Sequence, residues 1–96
     1  MSQEESIAVV LDVLKEVQRL SGRDWTDLGV DAKPIGALDG FDSLSGVEAT
    51  VMFEQRLGCT LDVDSVFVSE DGKRALKVRE VSERLRKLLA SKGVTK

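Results

Sequence analysis

The sequence predicts an all-α fold, a small four-helix bundle of three main helices and one short one, with a long loop between helices I and II. Three observations predict it. Apolar residues recur at helical spacing in three separate segments. Between the first two of these, residues 21–42 lose all periodicity and collect four Gly, the only Pro and five Asp. The length, 96 residues and 10.5 kDa, leaves room for one core, so residues 1–96 are read as a single domain.

Helix I is placed at about residues 4–20. Ile7, Val10, Leu11, Leu14 and Val17 share one face, and Glu4 and Glu5 sit at the positive end of the helix dipole. Ser21-Gly22 supplies the stop, because glycine accepts the left-handed conformation common after a helix. The loop that follows carries Trp25, Leu28, Val30, Ile35, Leu38 and Phe41 as anchors, which predicts a loop pinned to the helices. Helix II is placed at about 43–57, closed by Gly58. Leu44, Val47 and Val51 are read as its inward stripe, widened by Ala49, Met52 and Phe53. A short helix III is placed at about 62–67 and a turn or insertion at 68–77, with a small hairpin over 66–77 as the second choice, marked by Asp71-Gly72. The final helix, about 78–91, has Val78, Val81, Leu85, Leu88 and Leu89 inside and Arg79, Glu83, Arg84, Arg86 and Lys87 outside.

Composition excludes several kinds of chemistry. There is no His, which removes Ser-His and Cys-His nucleophile pairs and imidazole metal sites. The single Cys59 builds neither an internal disulfide nor a thiolate zinc site, and reads as a small buried hydrophobe. No catalytic residue and no metal ligand is assigned, and the chain is read as not an enzyme. Three Phe, one Trp and no Tyr make a poor stacking surface for nucleic acid. Residues 1–72 carry 5 Lys and Arg against 15 Asp and Glu, a net of −10, while residues 73–96 carry 9 against 2, a net of +7. The acidic part repels nucleic acid and suits partners with basic faces; the basic helix reads as a solvated face. No stretch approaches the roughly 20 apolar residues of a membrane span. The acidic start Met1-Ser2-Gln3-Glu4-Glu5 and the unpaired thiol point to the cytoplasm, and the chain is read as a monomer.

The informative stretch is Leu38-Asp39-Gly40-Phe41-Asp42-Ser43-Leu44-Ser45-Gly46-Val47-Glu48. Asp42 is a natural N-cap, which puts Ser43 at the first helical position with its hydroxyl at the end where free backbone N–H groups point outward. A phosphate attached there gains on the order of 0.3–1 kcal/mol from the dipole. The sequence holds no base to turn Ser43 into a nucleophile, so any modification must be made by another protein.

Gly40-Phe41-Asp42-Ser43-Leu44, with Glu48 on the following helix and Gly58 closing it, resembles the attachment motif of the acyl carrier protein family, and the order of elements is similar along the whole chain. The resemblance implies that Ser43 takes a 4'-phosphopantetheine arm from coenzyme A, transferred by a magnesium-dependent phosphopantetheinyl transferase. The thiol of the arm would hold acyl groups as thioesters for acyl-loading and acyl-transfer enzymes of a fatty acid, lipid or polyketide pathway. It implies further that Asp42 assists metal and transferase engagement, and that Leu44, Val47, Glu48, Val51 and Glu54 face partner enzymes. Ser45 and the Glu54-Gln55-Arg56 run dilute the acidic character usual on that helix, and together with the 68–77 insertion and the basic last helix they imply a specialised, free-standing carrier. Two other classes stay open on the residues: an aminoacyl or peptidyl carrier, and an unmodified helical interaction module in which Ser43 only caps. Trp25 is read as packing the loop, and Leu61, Val66 and Phe67 as core filling in preference to an acyl cavity.

Overall fold

The computed structural model describes residues 2–91, and among them the chain is helical with no strand: α1 (Gln3–Leu20), α2 (Pro34–Ala37), α3 (Ser43–Leu57) and α4 (Val78–Ser91). α1 opens with a capping box, in which Ser2 Oγ accepts from the Glu5 amide at 3.1 Å while the Ser2 amide donates to Glu5 Oε1 at 3.0 Å. α1 packs on α4 and on α3. The core lies between them: Val10, Val13, Leu14 and Val17 from α1, Ala49 and Phe53 from α3, and Val78, Val81, Leu85 and Leu89 from α4. Leu61, Val66 and Phe67 close it from the α3–α4 connection, where they fill the core. Residues 92–96, the end of the basic tail, lie outside the described residues.

The long loop is pinned at several points. Leu38 and Phe41 are buried, and Trp25, Leu28 and Ile35 pack against the core at its edge. Val30 contributes through its backbone instead: the Val30 and Ala32 carbonyls accept from the Arg79 and Val78 amides, both at 2.9 Å, and so cap α4 from outside the helix. Arg79 Nε also reaches Asp31 at 2.9 Å. α2 is a single turn within this loop, with Pro34 at its first position and non-helical angles at Ile35 and Gly36.

Two expectations are corrected. The fourth, short helix is α2, not a helix at 62–67. Asp62 adopts φ +59°, in the left-handed region, which no right-handed helix accommodates. The amides nearby are held by side chains rather than by a helical ladder: Leu61 by Glu54 Oε2 at 2.8 Å, Val66 by Thr50 Oγ1 at 3.1 Å and Phe67 by Ser65 Oγ at 3.1 Å. A tight reversal follows, the hairpin kept as second choice. Val68 and Ala75 form an antiparallel bridge, flanked by bonds from Ser69 to Arg74 and from Leu76 to Phe67.

The second correction concerns α3. Leu44 and Val51 face outward, 67% and 45% exposed, and Val47 is half-buried. The inward face is Ser45, Gly46, Ala49, Thr50 and Phe53. Close approach explains the rotation. A Cβ at Gly46 would lie 3.0 Å from Ser65 Oγ, so the helix backbone meets the 65–67 segment directly, and only small or internally bonded side chains fit between them.

Candidate functional site

Asp42 and Ser43 stand where the sequence places them, at the N-cap and first residue of α3. The Asp42 carboxylate accepts through Oδ1 from the Ser45 amide at 3.0 Å and from the Ser45 hydroxyl at 3.2 Å. Those two bonds, the backbone one foremost, hold its carboxyl below the usual carboxylate range. The Asp42 carbonyl accepts from the Gly46 amide at 3.0 Å, the first bond of the helical ladder. Ser43 is exposed, and its hydroxyl and amide take no partner among the described residues.

The chain entering the site is fixed from behind. Phe41, 3% exposed, packs edge-on against Phe67 with ring centres 5.5 Å apart, and Phe67 stacks in turn on Phe53 of α3 at 5.9 Å. Gly40 takes φ +65°, which turns the chain toward the helix. Gln18 near the end of α1 and Arg23 just beyond it complete the hold, and no motif marks either. Gln18, fully buried, donates through Nε2 to the Asp39 carbonyl at 2.7 Å and the Asp24 carbonyl at 2.9 Å, tying both ends of the loop together. Arg23 Nη1 donates to the Gly40 carbonyl at 2.6 Å and to Ser45 Oγ at 3.0 Å. The one signal that could have found Gln18 is its position: it lies beside Val17 and Leu14 on the apolar face of α1, where a polar residue needs a partner.

Beyond the cap, Leu44, Val47, Glu48 and Val51 lie on the outward side of α3, where the resemblance puts partner-facing residues. Glu54 does not join them as a free acid, because its carboxylate holds the Leu61 amide. Ser45 is 2% exposed, so its lack of charge dilutes no surface. Arg56 reaches Asp12 of α1 at 3.7 Å. Two of the cations on the last helix are engaged within the molecule, Arg79 with Asp31 and Arg84 with the carbonyls of Ser65 and Val68, and Arg74 before it pairs with Glu80 at 3.2 Å. A groove of about 610 Å³ runs between the C-terminal end of α3 and the hairpin, lined by Glu54, Asp62, Asp64, Glu70, Asp71 and Arg84 among others, and none of its lining comes from the first two turns of α3.

No family model, curated protein or solved structure matches this chain. Among the described residues no cluster of His, Cys, Asp and Glu is arranged to hold a metal ion, and no helix is long and apolar enough to cross a membrane. What the arrangement offers chemically is one accessible hydroxyl at the positive end of a 15-residue helix, on a turn held rigid from three directions.

Proposed function

We propose that the chain is an acyl carrier protein, modified with 4'-phosphopantetheine on Ser43 and passing thioester-bound acyl groups between enzymes. The observation that carries the reading is the Asp42–Ser43 pair: an exposed serine hydroxyl at the first position of α3, next to a capping carboxylate fixed by Ser45. In the modification, Ser43 Oγ attacks the pantetheine-bearing phosphorus of coenzyme A. The Oγ–P bond forms and the bridging P–O bond of the pyrophosphate breaks. Adenosine 3',5'-bisphosphate leaves with the electron pair, and the serine proton passes to a base of the transferase. Asp42 is the residue of this chain that would assist the transferase's magnesium, which would offset the pyrophosphate charge. The resulting phosphodiester carries its negative charge beside the Ser43 and Leu44 amides, which α3 leaves unbonded. Leu44, Val47 and Val51 give partner enzymes an apolar strip beside the arm, with Glu48 at its edge.

The test is intact mass after incubating the apo protein with coenzyme A, magnesium and a broad-specificity phosphopantetheinyl transferase. A single phosphopantetheine increment is expected, absent in Ser43→Ala. The Ser43→Ala stability should stay within about 0.5 kcal/mol of the wild type, since the side chain is exposed. A protein that folds and stays unmodified would leave the helical interaction module as the reading. A modified protein loaded by amino-acid-activating enzymes and refused by acyl-loading ones would make it an aminoacyl carrier.

A further inference from the structure

Arg23 belongs to the start of the long loop, yet its guanidinium reaches across to the turn that carries Ser43. Nη1 bonds the Gly40 carbonyl on one side of Ser43 and the Ser45 hydroxyl on the other. The Ser45 hydroxyl in turn donates a hydrogen bond to Asp42 Oδ1, which accepts from the Ser45 amide as well. A relay thus runs from guanidinium to hydroxyl to carboxylate, and it encloses residues 40–45. Oδ1 is occupied twice. Ser45 is 2% exposed, so water competes little for the middle of the relay. The backbone at Gly40 is fitted to the arginine: a Cβ there would lie 2.7 Å from Arg23 Cδ and 3.0 Å from Nε, so any other residue at 40 would displace the side chain that holds it. The adjacent carbonyl, Asp39, is taken by Gln18. Two consecutive carbonyls before the cap are therefore each fixed by a side chain, one from the end of α1 and one from just beyond it.

We propose that Arg23 is the positioning residue of the attachment turn, holding the Asp42 carboxylate through Ser45 and the backbone on both flanks of Ser43 in one geometry before any transferase arrives. This rests on the reading of Ser43 as a phosphopantetheine site. Its consequence is kinetic. When only a fraction of molecules has the turn in the competent geometry, apparent affinity for the transferase falls by that fraction, while the step after docking is unchanged. Arg23 therefore acts on KM and not on kcat.

The experiment is steady-state modification by a broad-specificity transferase with coenzyme A, varying the carrier concentration, for the wild type, Arg23→Ala, Arg23→Lys and Ser45→Ala. Arg23→Ala removes two charge-assisted bonds and is expected to raise the carrier KM roughly tenfold with kcat within about twofold. Arg23→Lys keeps a cation able to reach the Gly40 carbonyl and should recover part of that loss. Ser45→Ala cuts only the relay to Asp42 and should raise KM by a smaller factor; it also decides the matter should Arg23→Ala fail to fold. A wild-type KM in Arg23→Ala and Ser45→Ala, or a loss of rate that appears only in kcat and follows the folded fraction, would overturn the proposal. A folded wild type that is never modified overturns the attachment reading itself and the role of Arg23 with it, an outcome visible before any variant is made.

Discussion

Thr50→Val removes one buried hydroxyl from the joint between α3 and the segment that replaces the expected third helix. Thr50 is 1% exposed, donates to the Gly46 carbonyl at 2.8 Å and accepts from the Val66 amide at 3.1 Å. Valine has nearly the same shape, so no cavity follows. The Gly46 carbonyl loses little, because the backbone ladder of α3 uses it as well. The Val66 amide loses everything: the residue is fully buried and no water reaches it. A buried donor left unpaired costs about 1–3 kcal/mol. For a domain of this size each kcal/mol moves Tm by about 4–8 °C, so a fall of roughly 5–20 °C is expected. Urea unfolding followed by circular dichroism measures the free energy, and hydrogen exchange at Val66 reports the bond itself, with protection falling in the variant. A variant as stable as the wild type, its Val66 amide still protected, would refute the claim that side chains of α3 shape residues 61–67.

Other consequences are open to simpler measurements. Phe67 lies between Phe41 and Phe53, so Phe67→Ala should cost about 3–5 kcal/mol and loosen the chain just before the cap, seen as faster exchange at Phe41. Asp42 has its carboxyl lowered in the folded state relative to 3.8, so its contribution to stability is complete above that value and is lost as pH falls through the depressed folded value. Asp42→Asn keeps a capping oxygen but does not titrate; the stability gap between wild type and variant should therefore narrow in acid, and a gap constant with pH would contradict the assignment.

α1 and α4 were legible because each buries one periodic apolar stripe, and the cap was legible because Asp42 acts locally. The stripe on α3 was misread for a physical reason. Hydropathy favours Leu44, Val47 and Val51, whereas burial follows Gly46, Ala49 and the hydroxyls of Ser45 and Thr50, whose partners come from distant segments. The same distance hid Gln18 and Arg23, which act on carbonyls far along the chain, and hid the 61–67 conformation, which is set by Glu54, Thr50 and the left-handed Asp62. The capped position of Ser43 at the start of α3 was visible in sequence; what holds that turn was not.

The pairing of α1 with α4 orders events during synthesis. The first helix leaves the ribosome early, but the surface of Val10, Leu14 and Val17 must wait for Val81, Leu85 and Leu89, part of the last described helix to be made. At roughly 5–20 residues per second that wait lasts several seconds. Throughout it the nascent polypeptide shows chaperones a greasy ridge that α3 alone is there to cover. The loop that fixes the Ser43 turn also leans on residues 78 and 79, so that turn reaches its final geometry only after the start of α4 has emerged.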